Sequence, residues 1–146
     1  MTVTVGTNSY ITEAELTTYA TDRDITIVTA DKSILIAKSM DYLEILNFKG
    51  YKTVSTQPLQ FPRVLCEYDS SVVPNEIKTA QIVACLLIDS GEDLNPTLGK
   101  TTIREKIDVI EIEYRDNSTE TKSFTQLNAL LAPFLTASGG LKLVRV

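Results

Sequence analysis

Gly99-Lys100-Thr101-Thr102 is the run in this sequence that comes nearest to a phosphate-binding loop. Such a loop has the pattern G-x-x-x-x-G-K-[ST] and lies between a strand and a helix, where its backbone amides surround the phosphate. Here Leu94 stands at the position of the first glycine, a helical pattern precedes the run, and a strand pattern follows it. We therefore interpret residues 99–102 as a turn before a strand rather than as a nucleotide site.

Paired carboxylates are the second feature that could do chemistry, either as a general acid and base or as ligands of a hard metal ion. The pairs are Asp22 with Asp24, Glu92 with Asp93, and Glu111 with Glu113. The last pair alternates with apolar residues, which is typical of the solvated face of a strand. Because the chain contains no histidine, no evident base activates Cys66 or Cys85 either. We expect no enzyme activity, no cofactor and no metal site.

The charge and hydropathy of the chain argue against two classes of protein. A formal net charge of −5 and a pI of about 4.7 disfavour broad nucleic-acid binding, which needs clustered lysine and arginine. The longest apolar run, 82–88, is far shorter than the ~20 residues of a membrane-spanning helix. The start MTVTVGTNSY lacks the basic residues and apolar block of a signal peptide. We expect a cytoplasmic protein with no membrane partner and with both cysteines buried and reduced.

The segment FKGYK, Phe48 to Lys52, is the strongest nucleic-acid candidate in the chain. Its two aromatic residues are interleaved with two lysines, and single strands bind to such stacking platforms beside basic grooves. The surrounding sequence is acidic, however. The alternative is a loop whose aromatic side chains pack inward while its lysines stay in solvent.

Apolar periodicity and capping signals predict about four helices. A capping box opens the first at Thr12, Thr29 is the expected N-cap of the second, and a further box begins at Ser123. Pro133 is expected to end the last helix near Ala132. The predicted helices span about 12–22, 30–46, 75–90 and 123–132.

Period-two alternation predicts one strand over about 103–115. Three partners are open for this strand: the tail 141–146, the segment 119–124, or another subunit. The fold class is therefore α+β and mainly α, with about four helices and a small antiparallel β element. We expect a single domain, 1–146, with an interaction tail at 139–146.

Residues 47–71 form a long extended loop in this interpretation, because they have no helical period and contain Gly50, Pro58 and Pro62. At its centre lies QPLQFPR, 57–63, which places Leu59 and Phe61 between two prolines. A flexible linker would instead use glycine and serine. The residues predict a stiff, packed, extended segment.

Five segments resemble, in order, a family of tailed-phage head–tail adaptors that is often labelled DnaT-like single-stranded-DNA-binding. The most specific is GYKTVSTQPLQFPR, 50–63, in which Phe61 stands where the family pattern has tryptophan, so an aromatic residue is kept. The others are NSYITEAELTTYATDR (8–23), DYLE (41–44), VPNEIKTAQ (73–81) and EKIDVIEIEY (105–114).

The resemblance implies a structural protein of the virion neck that is assembled in the cytoplasm of the bacterial host. It would form a ring of twelve copies under the portal protein, extend the DNA channel, and present a surface to the stopper or tail-completion protein. Genomic DNA would pass through without specific binding. The alternative function is a DnaT-like replication protein that binds single-stranded DNA.

Under this resemblance, two segments are candidate interfaces. Pro58 and Pro62 would stiffen the loop so that Leu59 and Phe61 fill an apolar pocket on a partner, while Arg63 pairs with a carboxylate there. The alternative is that the loop packs into its own domain. The tail would add a strand to a neighbouring copy or to the portal, or else pair within its own chain. Its candidate residues are Leu141, Leu143, Val144 and Val146.

Overall fold

The computed structural model of the chain describes residues 1–65, 67–95, 104–107, 110–113 and 124–136. Within these residues lie four helices and two separate antiparallel pairs of strands, which confirms the predicted class. In chain order the elements are α1 (Glu13–Thr21), α2 (Lys32–Glu44), β1 (Tyr51–Lys52), β2 (Arg63–Val64), α3 (Asn75–Asp89), β3 (Arg104–Ile107), β4 (Ile110–Glu113) and α4 (Thr125–Leu131).

α3 is the central helix, because it packs against both α2 and α4. Its small residues Ala80 and Ala84 are completely buried, which lets neighbouring elements approach its backbone closely. One side of the helix contributes Ile77 and Val83 to the larger core cluster, and another contributes Ile82 and Cys85 to a smaller cluster beside α1. The helix therefore joins the two parts of the core.

The N-terminal signals of α1 and α2 are the clearest local determinants of the fold. The predicted capping box of α1 is present, with Thr12 and Glu15 each bonding the other's backbone amide. The prediction of Thr29 as the N-cap of α2 was wrong. Asp31 caps this helix through a 3.0 Å hydrogen bond from the Ser33 amide, because the extended backbone at Thr29 is instead bound to α3.

The predicted strand at 103–115 and the predicted start of the last helix both need correction. The β element lies where predicted, but this segment forms two strands that pair with each other, with Arg104 opposite Glu113 and Ile107 opposite Ile110. A two-residue connection allows this pairing, so β4 takes β3 as its partner rather than a distant segment. α4 begins at Thr125 with Phe124 as its N-cap and no side-chain cap, so a box starting at Ser123 does not fit the helix. Pro133 ends the helix as predicted.

The extended loop also contains regular structure. Strands β1 and β2 pair antiparallel within it, Tyr51 opposite Val64 and Lys52 opposite Arg63. Gly91, with a φ of 87°, follows α3 and supplies the left-handed residue that commonly ends a helix. No helix in the described part of the chain is both long and apolar enough to cross a membrane.

Cys85 behaves as a small apolar residue, as predicted. It is completely buried on α3, its thiol lies 3.2 Å from the Ser39 hydroxyl, and burial raises its pKa to about 11. The thiol therefore stays protonated at neutral pH and is a poor nucleophile. Cys66 lies outside the described residues.

Asp89, the last residue of α3, holds the connection between α1 and α2 in place. Its two carboxylate oxygens accept hydrogen bonds of 2.8 Å from the backbone amides of Val28 and Thr29. Burial by itself raises the pKa of Asp89, but the hydrogen bonds from Thr29 and Val28 outweigh it and hold the pKa below its usual value. The charged carboxylate thus stabilises the folded chain.

We predict that Asp89→Asn lowers the free energy of unfolding by about 1 kcal/mol at pH 7, because the amide offers one acceptor oxygen in place of two. Since the folded-state pKa of Asp89 lies below the unfolded value, its contribution is complete above about pH 5 and disappears as the pH falls through the folded-state value. Urea denaturation at neutral and acidic pH measures both effects. Asp41→Asn, at an exposed position on α2, is the matched control. Equal losses in the two variants would contradict the prediction.

Candidate interaction site

Gln81, a completely buried side chain on α3, attaches the N-terminal segment to the centre of the molecule. Its Oε1 accepts a 3.0 Å hydrogen bond from the Tyr10 amide, and its Nε2 donates to the Ser9 hydroxyl at 3.1 Å. That hydroxyl also donates to the Ile11 carbonyl at 2.7 Å. Each polar atom of the buried amide therefore has a hydrogen-bond partner, which is what burial of a glutamine requires.

Tyr10 connects the start of the chain to the loop after α2. Its hydroxyl donates to Glu44 Oε1 at 2.9 Å and accepts from the Phe61 amide at 3.1 Å, while the Gln60 amide donates to the same Glu44 oxygen at 3.0 Å. Burial raises the pKa of Tyr10 strongly, and the negative charge of Glu44 adds to this. The hydroxyl consequently remains a hydrogen-bond donor at neutral pH.

Phe61 lies at the centre of an aromatic cluster in the core of its own chain. Only 2% of the residue is exposed, and its ring meets those of Phe48, Phe134 and Tyr10 edge-on, at centroid distances of 4.9, 5.9 and 6.2 Å. Edge-to-face contacts of this kind add to the stabilisation from burial. Leu59 is buried in the same cluster. In this structure both apolar residues of the 57–63 segment pack into their own domain.

The Arg63 guanidinium is bound by backbone carbonyls and one side-chain amide of its own loop. Its guanidinium donates to the backbone carbonyls of Phe48, Lys49 and Gly50 at 3.2, 2.8 and 2.7 Å, and to Gln60 Oε1 at 2.7 Å. Burial lowers the pKa of Arg63 from its usual value. The side chain therefore supplies hydrogen-bond donors to backbone carbonyls of the loop.

Gln57 completes the bracing of the loop. Its Nε2 donates to the carbonyls of Leu59 and Pro62, both at 2.9 Å, and its Oε1 accepts from the Val54 amide at 3.1 Å. Pro58 is exposed and Pro62 is partly exposed, so among the candidate interface residues of the described loop these two are the ones that a partner can touch in this arrangement. Their role at an interface stays a prediction, as does pairing of Arg63 with a partner.

The FKGYK segment divides between core and surface. Phe48 is buried, whereas Tyr51 on β1 is 67% exposed and Lys49 is exposed beside it. Lys49 Nζ donates to the Pro133 carbonyl at 3.0 Å, and Lys52 Nζ donates to the Gln57 carbonyl at 3.2 Å. The segment thus presents one solvent-facing aromatic ring, and the ammonium groups of both its lysines are bound to backbone carbonyls.

A groove of about 570 Å³ opens next to Tyr51. Its walls come from β1, β2, the turn after β2, and the residue that ends α4, namely Val64, Leu65, Tyr68 and Pro133. Tyr68 also packs against Phe134, with ring centroids 4.8 Å apart and ring planes tilted by 46°, which ties the groove wall to the aromatic cluster. Lys49 and Glu67 bring one charge of each sign to the lining.

A family model described as putative DnaT-like ssDNA binding protein matches residues 2–146. The chain belongs to this family. The matched region includes the Ser9–Tyr10 start, the 57–63 segment and the groove residues, so the interactions described above lie inside the family domain. No curated protein and no solved structure matches the chain.

Part of the candidate site lies outside the described residues. The tail residues Leu141, Leu143, Val144 and Val146 belong to this part, so their predicted role as an interface remains a prediction. Within the described residues, no cluster of three or more histidine, cysteine or acidic side chains has the arrangement of a metal site.

Several residues that organise the site were not found from the sequence, namely Tyr10, Glu44, Gln57 and Gln81. Each acts through a polar contact with a distant or irregular backbone group, and no periodicity marks such a residue. The SY pair was the available signal, because it belongs to the opening segment that resembles the family.

We predict that Phe61→Ala lowers the free energy of unfolding by about 4 kcal/mol, because it removes a buried ring and leaves a cavity between three aromatic neighbours. Tyr51→Ala, in the same loop but on the surface, is expected to change stability by less than about 0.5 kcal/mol. Urea denaturation followed by circular dichroism measures both values. An unchanged stability of Phe61→Ala would mean that the ring is not part of this chain's core.

We also predict that Gly50→Ala is far more destabilising than Gly6→Ala. Both glycines have positive φ angles, 69° and 83°, so both substitutions introduce backbone strain of the same kind. A Cβ at Gly50 would also collide with the Val64 carbonyl oxygen, whereas one at Gly6 would enter open space. The difference should reach about 2 kcal/mol. Melting curves of the two variants test it, and equal losses would contradict the close approach of the chain at Gly50.

Proposed function

We propose that this protein is a structural, ring-forming head–tail adaptor of a tailed bacteriophage. In this function it docks under the portal protein, extends the DNA channel, and gives the stopper or tail-completion protein an attachment surface. It performs no catalysis and requires no cofactor. Its place is the virion neck, after assembly in the host cytoplasm.

The observation that carries the proposal is a pair of exposed isoleucines on the outer side of α2. Ile34 is 46% exposed and Ile45, at the C-cap, is 59% exposed, although the opposite side of the helix is in the core. Residues 34, 38, 41 and 45 recur at helical spacing and so share one side of the helix. Two isoleucines flanking Lys38 and Asp41 give a surface suited to contact between copies, since a ring needs a contact patch on every subunit.

The charge of the described surface is consistent with this function. The chain carries 19 acidic and 14 basic side chains, a formal net charge of −5, and one of the basic side chains, Arg63, is buried against carbonyl groups. An acidic surface repels the phosphate backbone of DNA. Repulsion of this kind suits a channel that must let DNA pass without holding it.

A second candidate function, single-stranded-DNA binding, has its own support. The description of the family names this activity directly and says nothing of virion assembly. The exposed ring of Tyr51, which lines one groove with Lys49, is the described feature that fits it best, because bases stack on exposed aromatic rings beside cationic groups. This candidate differs from the adaptor in requiring an affinity for DNA that falls steeply with salt.

Mass measurement of the purified full-length chain, alone and with the portal protein of the same virus, tests the adaptor proposal. We expect a ring in the mixture with as many copies as the portal has subunits. The double variant Ile34→Glu, Ile45→Glu should abolish this assembly while leaving the melting temperature of the monomer unchanged. Val54→Glu, which changes an equally exposed apolar residue in the loop, is the matched control and should assemble.

Binding of a fluorescent oligothymidylate at low and high salt decides between the two candidates. The adaptor proposal predicts no binding at low salt. Tight binding at low salt that weakens strongly with added salt, and that is lost in Tyr51→Ala, would favour the second candidate. A chain that stays monomeric with its portal would overturn the adaptor proposal.

A further inference from the structure

One side of α2 carries a stripe of exposed residues. Its members, in order along the helix, are Ile34, Lys38, Asp41 and Ile45. Their spacings of four, three and four residues keep them on the same side of the helix over about three turns. The stripe therefore has an apolar side chain at each end and two opposite charges in the middle.

The two charges of the stripe have no partner in the described part of their own chain. Lys38 and Asp41 lie three residues apart, but neither makes a hydrogen bond or an ion pair with a described residue. Both side chains are exposed, so their charges are available to a partner. The surface that matches this stripe brings apolar groups to its ends and the same two charges, in reverse order, to its middle.

A second copy of α2, running in the opposite direction, is such a surface. The stripe is symmetric about the point midway between residues 39 and 40, because 34 and 45 are equally far from that point, as are 38 and 41. A two-fold axis there places Ile34 of one copy opposite Ile45 of the other. It also places Lys38 opposite Asp41, and both contacts occur twice. Spacings of three and four residues are those of the contact positions in paired helices.

A parallel pair of α2 helices does not match in this way. Each residue would then face the same residue of the other copy, so Lys38 would meet Lys38 and Asp41 would meet Asp41. Like charges placed against each other oppose association. The order of the charges therefore selects the antiparallel arrangement.

A groove of about 570 Å³ adjoins the stripe and adds apolar surface to it. The groove shares the side chains of residues 38, 41 and 45 with the stripe, and its other apolar walls are Tyr42, Ile88 and Leu94. A helix that lies on the stripe also covers part of these walls. Removal of their apolar area from water favours association.

We propose that two free copies of this chain associate through α2, antiparallel about a two-fold axis between residues 39 and 40. Ile34 packs against Ile45 of the other copy, and Lys38 pairs with its Asp41. A contact of this kind uses the same surface on both copies and closes at two.

This dimer bears on assembly because it covers Ile34 and Ile45, the isoleucines assigned above to the contact between ring subunits. In this respect the inference rests on the adaptor function. Since one surface cannot make both contacts at once, the dimer withholds the subunits from ring formation until the portal protein competes for them.

Sedimentation equilibrium of the purified full-length chain without its portal tests the dimer. We expect a reversible dimer whose fraction rises with protein concentration. Asp41→Lys and Lys38→Glu should each raise the Kd at least about tenfold, because each places like charges against each other twice in the dimer. The double variant Lys38→Glu, Asp41→Lys should restore the dimer, because exchange of the two charges leaves every pair complementary.

A mixture and a control locate the charges. The two single variants, mixed in equal amounts, should form a one-to-one complex, because every cross-copy pair in it has opposite charges. Lys38→Glu combined with Asp22→Lys makes the same change in net charge at an exposed position outside the stripe and should not restore the dimer. Melting curves followed by circular dichroism verify that each variant is folded.

Several outcomes would overturn the proposal. They are an unaltered chain that is monomeric at every concentration, complexes larger than two, single reversals that leave the Kd unchanged, and restoration by Asp22→Lys. A chain that is monomeric alone but forms the ring with its portal would contradict the dimer and leave the adaptor function standing. A dimer that does not assemble with the portal would do the reverse.

Discussion

The loop between α2 and α3 has to satisfy its backbone without a helix or a full sheet, and the hydrogen bonds of Tyr10 and Glu44 do this at its centre. The Phe61 amide donates to the Tyr10 hydroxyl, and the Gln60 amide and that hydroxyl both donate to the Glu44 carboxylate. An unpaired buried amide costs about 1–3 kcal/mol, so these contacts decide whether the segment can enter the core. In the same loop, Arg63 donates hydrogen bonds to the backbone carbonyls of residues 48–50.

The rest of the structure follows from the loop's position. With its backbone satisfied, Phe61 can lie between Phe48, Phe134 and Tyr10, and α4 is held to the loop through Phe134. The same arrangement turns Tyr51 outward and creates the groove against Tyr68. Surfaces available to partners are thus those that the packed loop leaves exposed, including the outer face of α2. This is why the proposed function rests on α2 rather than on the loop.

Local signals in the sequence predicted much of the fold, and long-range polar contacts account for most of what they missed. The Thr12 capping box and the Pro133 stop depend on residues a few positions apart, so they were predictable. The choice of Asp31 over Thr29 as N-cap depends on Asp89, sixty positions further along from Thr29. The burial of Phe61 could be stated only as one of two alternatives, since an apolar residue in a stiff loop suits a core and an interface equally well.

The sequence resemblance suggests a head–tail adaptor, and the description of the family suggests single-stranded-DNA binding. The described structure offers support for each through surface residues rather than through the core. The acidic surface and the exposed isoleucines of α2 support assembly, while Tyr51 and its lysines support a contact with single strands.

Hydrogen exchange at the Phe61 amide is the most direct measurement of this account. The account predicts that this amide, although it lies in a loop, exchanges only through global unfolding, as slowly as the amides at the centre of α3. Rapid exchange at Phe61 while α3 stays protected would mean that the loop opens locally, and the central role given to Tyr10 and Glu44 would be wrong.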